Sequence, residues 1–350
     1  MNKIHFDRVV QGLSADLLLL KEHGHPLEND YIEKLVEDTL DSLIQKIPNF
    51  EVLETDIKNL KFILRNMFNI SIDEEFIVLK NPDAIRWFDN KKSEIEWTRW
   101  NAYKAMLLSQ ARPVDGIDSN EEVIDNILDY SGDPTLPGPW ARKGLVMGNV
   151  QSGKTENYLG LVNKAIDAGY KVIIILGGHL VDLRKQTQKR VDEGVLGRES
   201  RHIIEPNTAV GPVGVGLYVD KDTGTTTLKV NTGTTTIGDF NQRTAETMGV
   251  DLNSPIPIVF TIRKGPAGMK RLYDWIRTHH FLSPENGTKM DVPLLLIDDE
   301  ADYASINTKH HKEEVTATND AIRNLLSLFS KNTYVGYTAT PFANIFIDPD

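Results

Sequence analysis

The sequence predicts an α/β protein: an all-helical N-terminal domain, then one lobe with a mostly parallel sheet and helices on both faces. Three observations predict it. Apolar residues recur at helical spacing through residues 1–110. A segment rich in proline and glycine, Asp133-Pro134-Thr135-Leu136-Pro137-Gly138-Pro139, then interrupts the chain. Beyond it, short β-branched runs alternate with helical patterns, the texture of right-handed βαβ units.

The elements follow in order. Ile32, Leu35, Val36, Leu40 and Leu43 mark one helix, and Ile57, Leu60, Ile63, Leu64 and Met67 another. Trp97, Trp100, Tyr103 and Leu107 share a third helical face, which reads as core packing. A short helix fits Asn120–Tyr130, with Ser119 as cap and Glu122 at the box position. These assignments make residues 1–132 an acidic helical domain, 133–143 a linker and 144–350 the second lobe. In that lobe Gly144–Met147, Lys171–Leu176, Ile256–Thr261, Leu294–Ile297 and Tyr334–Thr338 read as strands. The helix after the first strand should end at Gly169; Leu180–Arg190, Met269–Arg277 and Ala321–Phe329 should form the others. Residues 206–238 break the alternation. There Thr223-Gly224-Thr225-Thr226-Thr227 recurs as Thr232-Gly233-Thr234-Thr235-Thr236, which suggests an inserted β-hairpin.

Charge and composition exclude several functions. The chain has 350 residues and a net charge of −11, all of it in residues 1–140, where 15 basic residues face 26 acidic ones. The remainder is balanced, 24 against 24, so no general basic field attracts nucleic acid. The absence of cysteine excludes disulfides, zinc–thiolate sites and a thiol nucleophile. The longest apolar runs, Leu17–Leu20 and Val172–Leu176, fall far short of the ~18 residues of a membrane helix. No apolar segment follows the N-terminus, so a cytoplasmic protein without a membrane partner is expected.

Gly148-Asn149-Val150-Gln151-Ser152-Gly153-Lys154-Thr155 fits the phosphate-binding pattern G-x-x-x-x-G-K-[ST] between a strand and a helix. Gly148, Gln151, Ser152 and Gly153 would turn backbone N–H groups inward around phosphate oxygens. Lys154 would reach the outer phosphates, and the Thr155 hydroxyl would ligate Mg²⁺. ATP with Mg²⁺ is therefore the expected cofactor. The second half of such a site should stand at the C-terminal end of a strand. Leu294–Ile297 runs into Asp298-Asp299-Glu300-Ala301-Asp302. Strand register decides which aspartate faces the metal; Asp299 is the expected ligand, and Glu300 the general base that polarises water.

Asp299-Glu300-Ala301-Asp302 behind a Gly-Lys-Thr loop resembles the DEAD-type superfamily-two helicases. Thr338-Ala339-Thr340 resembles their Ser/Thr-Ala-Thr motif, which implies a coupling role for Thr338 and Thr340. Val150–Thr155, Leu183–Gln188 and Gly336–Asn344 look like the bacterial Z-one domain family, labelled as endonucleases of restriction and phage-defence systems. The resemblance spans about Trp97 to Ile347. It implies two RecA-like lobes with ATP between them, of which this sequence shows the first, so hydrolysis by this chain alone should be poor. It also implies DNA, a nuclease subunit and other defence proteins as partners. Arg184, Gln186, Thr187, Thr261 and Lys264 occupy the places where helicases grip a nucleic-acid backbone. The glutamine motif that reads adenine in DEAD-box RNA helicases is not apparent, and neither is a nuclease constellation. Two other functions stay open: a non-motor NTPase switch, and a nuclease with its own site.

Overall fold

A computed structural model describes residues 3–22, 29–47, 50–67, 77–78, 86–147, 153–203, 211–218, 229–280, 282, 287–301 and 314–338. They divide into two compact units. The first takes in the described residues of 1–77 with Met147; the second takes in those of 78–146 and 153–338.

The first unit contains α1 (Lys3–Glu22), α2 (Asn29–Lys46) and α3 (Glu54–Met67). Each contributes one apolar stripe to a shared core. Val10, Leu13 and Leu17 come from α1, Ile32, Val36 and Leu40 from α2, and Leu60, Ile63 and Leu64 from α3. The three- and four-residue spacing that predicted α2 and α3 is thus the spacing of their buried positions. Lys61 of α3 ties back to Glu37 of α2 at 2.5 Å.

The second unit opens with the short α4 (Phe88–Lys91), then α5 (Thr98–Ser109) and α6 (Val114–Tyr130). Among the described residues its strands belong to one sheet. They are β2 (Trp140–Met147), β3 (Val172–Leu176), β4 (Asn231–Thr232), β5 (Ile258–Ile262), β6 (Met290–Asp299) and β7 (Phe329–Thr338), with β1 (Ile77–Val78) at the edge. The order is β1-β2-β7-β6-β3-β5-β4. β3 pairs in parallel with β5 and β6, β4 with β5, and β6 with β7. Every residue of β3 and β5 is buried, which accounts for their unbroken apolar sequences. The helices are α7 (Lys154–Ala168), α8 (Val181–Val191), α9 (Gln242–Thr247), α10 (Pro266–His279) and α11 (Glu314–Ser327). Val172, Ile174, Leu176, Leu294 and Leu296 join Leu272, Trp275 and Leu325 in one core on the α10 and α11 face. Among the described residues no helix is long and apolar enough to cross a membrane.

Four expectations need correction. The helix placed at Asn120–Tyr130 begins six residues earlier, at Val114, after Pro113 (φ −59°). Proline preorganises a helix start, so Ser119 lies in the helix interior and caps nothing. β2 starts at Trp140 rather than Gly144. Residues 206–238 show no hairpin among the described residues: Gly214–Leu217 forms a 3₁₀ turn, and β4 pairs in parallel with β5. The second Thr-rich copy is held instead by its own hydroxyls, with Thr232 Oγ1 donating to Thr234 O at 2.8 Å. The first copy lies outside the described residues.

The fourth correction concerns the boundary. Helices α4–α6 belong to the sheet's unit, and the Pro/Gly segment at 133–139 is a loop inside it. Buried polar contacts make the connection. Asp167 of α7 accepts from the Arg99 and Trp100 N–H groups at 3.0–3.1 Å. Lys164 of α7 is buried against Glu121 at 2.8 Å and Asp125, beneath the rings of Trp97 and Trp100. The Tyr170 hydroxyl donates to Gly132 O at 2.6 Å. A Cβ on Gly160 would stand 2.5 Å from Ile124 Cδ1 and 3.1 Å from Trp100, so a side chain there must push both aside where α7 packs on α5 and α6. Gly160→Leu should cost about 1–3 kcal/mol by overpacking, read from the denaturant midpoint.

Two carboxyls give this unit a pH signature. Burial pushes Asp167 up to about 6, against the hydrogen bonds it accepts. Burial likewise pushes Asp192, at the end of α8, up to about 6. Between about pH 4 and 6 the folded state holds protons there that the unfolded chain has released. This contribution is full below the unfolded value and is lost as pH rises through the folded one. A two-unit rise sets at most about 3 kcal/mol per group. Urea midpoints measured from pH 4.5 to 6.5 should fall less steeply in Asp167→Asn than in the parent; parallel curves would contradict the assignment.

Candidate nucleotide site

The site forms at the C-terminal edge of the sheet. β2 ends at Met147, and α7 begins at Lys154 immediately after Gly153, whose φ of +66° is a left-handed conformation. Glycine adopts it without the strain a side chain would bring, so the chain turns sharply into the helix. Lys154 and Thr155 thereby stand in the first turn of α7, where unpaired backbone N–H groups and the helix dipole favour an anion. Gly148, Gln151 and Ser152 lie outside the described residues.

β6 delivers the acids. Leu294, Leu295, Leu296 and Ile297 are buried, and alternation then sends Asp298 and Asp299 to opposite faces. Asp298 lies opposite Leu176 of β3 and Gly336 of β7 in the register. Its carboxylate meets Lys264 Nζ at 2.8 Å, both side chains being fully buried, and accepts from the Tyr334 hydroxyl at 2.7 Å. Asp299 takes the other face. Burial and then the neighbouring Glu300 raise its carboxyl above the usual range, while the Lys154 ammonium opposes them. Burial raises the Tyr158 phenol on α7, and the Asp299 charge adds to it. Asp299 therefore shares its surroundings with the start of α7, whereas Asp298 is taken up by Lys264 and Tyr334.

Glu300 follows in a left-handed conformation, φ +57°, with its side chain exposed. Such a conformation is uncommon for a residue with a side chain and needs support. Its N–H donates to Asp299 Oδ1 at 3.1 Å, and its carbonyl accepts from Lys264 Nζ at 2.6 Å. The next N–H, of Ala301, donates to Tyr337 O at 2.8 Å. Lys264 is thus a buried brace beneath the acidic turn.

That finding revises the expected nucleic-acid contacts. Lys264, Arg184, Thr187 and Thr261 are all buried, at 5% exposure or less. Arg184 donates to Thr235 O at 2.9 Å, and Thr187 Oγ1 to Leu183 O at 3.0 Å. The Thr261 N–H donates to Thr234 Oγ1 at 2.8 Å. Of the five, Gln186 alone is exposed. Arg184 and Lys264 are bound to neighbouring turns, and all four side chains are buried away from a phosphate backbone. Thr338 is fully buried at the end of β7, whereas Thr340 and Asp302 lie outside the described residues.

Sequence reasoning missed three groups. The Tyr337 hydroxyl donates to Asn157 Oδ1 at 2.8 Å, and Asn157 Nδ2 donates to Asn120 Oδ1 at 2.7 Å. This buried relay joins the end of β7 to the first turn of α7 and on to α6. Tyr334 was read as strand, not as a partner of Asp298. Arg190 of α8 donates from Nη1 to Thr155 Oγ1 at 2.8 Å. No spacing rule connects these residues, because each partner lies on another element.

Comparison of the chain with protein-family models, curated proteins and solved structures gives no match.

The donor set suits a divalent cation beside phosphates. It offers a threonine hydroxyl and an ammonium in the first turn of α7 and a carboxylate at the end of β6. Asp299 carries a charge that burial and Glu300 both disfavour, and a bound cation would relieve this.

Proposed function

We propose that this chain is the nucleotide-binding lobe of a helicase-like, DNA-dependent ATPase that couples MgATP hydrolysis to movement on DNA or to gating of a nuclease in a defence system. The observation that supports it best is that the Lys154 ammonium, at the start of α7, favours the charged form of the Asp299 carboxyl, at the end of a central parallel strand. In this reading Lys154 binds the outer phosphates, and Thr155 and Asp299 hold Mg²⁺, which neutralises phosphate charge when bound. Glu300 orients water and accepts its proton. The Tyr337–Asn157 bond offers β7 and Thr338 a physical connection to the nucleotide helix.

A second reading, a non-motor NTPase switch, draws support from the burial of Arg184, Thr187, Thr261 and Lys264. DNA separates the two. ATP turnover that rises on addition of DNA supports the motor; turnover indifferent to DNA, with nucleotide-dependent binding to a protein partner, supports the switch. Absence of any nucleotide binding contradicts both.

A further inference from the structure

Arg190 has no place in that account, yet its guanidinium rests 2.8 Å from the hydroxyl assigned to the metal. The position is built rather than incidental. Along α8, Arg184, Thr187, Gln188 and Val191 are buried, so the helix cannot rotate. Gln188 donates to Asp192 Oδ1 at 2.9 Å and accepts from Thr234 Oγ1 at 2.8 Å, which locks its last turn. Arg190 itself is exposed and extends from this fixed turn to the first turn of α7. The Arg190 guanidinium therefore stands at the positive end of α7, in the turn that also carries Lys154. Among the described residues, the anionic groups of this region are Asp299 and Glu300 at the end of β6, and Glu156 of α7, which pairs with Arg112 at 3.2 Å.

We infer that Arg190 is a phosphate-binding residue of this site, which leaves Thr155 for a phosphate oxygen of the nucleotide when the metal takes the hydroxyl. The inference rests on the reading of the site as one for MgATP and adds a ligand-binding arginine from within the lobe. The physical argument is a partner exchange. A guanidinium and a divalent cation would repel at the separation a shared hydroxyl imposes, so Arg190 would give up Thr155 if Mg²⁺ were held there. Its planar fork of donors then lies beside the anion it matches best, a phosphate. No bond is made or broken in this step, and Arg190 stays protonated throughout.

Calorimetric titration of the whole chain with ATP in Mg²⁺ tests it, using the parent, Lys154→Ala, Arg190→Ala and Arg190→Lys. Because Arg190 is exposed, its variants should keep the parent's melting temperature. Arg190→Ala should bind ATP about ten- to a hundredfold more weakly, the size of a lost charge-assisted hydrogen bond, and Arg190→Lys should recover part of this. If Lys154→Ala loses affinity while Arg190→Ala equals or exceeds the parent, the site reading stands and the inference is overturned. If the parent binds no ATP, the site reading fails and takes the inference with it.

Discussion

Lys264→Met should destabilise the protein by about 3–5 kcal/mol, the loss typical of removing one partner from a buried ion pair. Lys264 and Asp298 are both fully buried and meet at 2.8 Å, so the substitution takes the cation from a carboxylate that water cannot reach. It also removes the donor to the Glu300 carbonyl, at 2.6 Å. For a chain of 350 residues the melting temperature should fall by roughly 4–7 °C. The double variant Lys264→Met, Asp298→Leu should recover much of the loss, because removing both charges costs far less than stranding one. A single variant as stable as the parent would show that the pair does not brace the acidic turn.

Glu300→Gln should lower ATP turnover by about 10²–10⁴, the usual contribution of a positioned general base. The side chain is exposed at the end of β6, and its backbone conformation is fixed by the Asp299 carboxylate and Lys264. Glutamine keeps the size and hydrogen-bonding reach of glutamate but cannot take a proton at neutral pH. ATP affinity should therefore stay within a few-fold of the parent while single-turnover phosphate release collapses. Release within threefold of the parent would move the base elsewhere.

The sheet was largely legible because burial on both faces leaves runs such as Val172–Leu176 and Leu294–Ile297 without a polar position. The start of α7 at Lys154 was legible because a glycine that can take a left-handed conformation before a helical pattern is local chemistry. What failed depended on distant partners. Arg184, Thr261 and Lys264 look like surface groups until Thr235, Thr234 and Asp298 are placed beside them. The Pro/Gly segment reads as a linker because its composition breaks regular structure. Nothing in it reveals that Lys164 and Asp167 tie the preceding helices to α7. Local propensity also misplaced the start of α6, where Pro113 outranks the Ser119 capping pattern.

The claim on which the rest depends is that Lys154 and Asp299 form one nucleotide site. Titrating the parent and Lys154→Ala with ATP, in the presence and absence of Mg²⁺, tests it most directly. The parent should bind ATP more tightly with Mg²⁺ than without. Lys154→Ala should lose about 1.5–3 kcal/mol of binding, or roughly ten- to 150-fold in affinity, with its melting temperature unchanged. Equal affinity in the two proteins, or binding indifferent to Mg²⁺, would contradict the site.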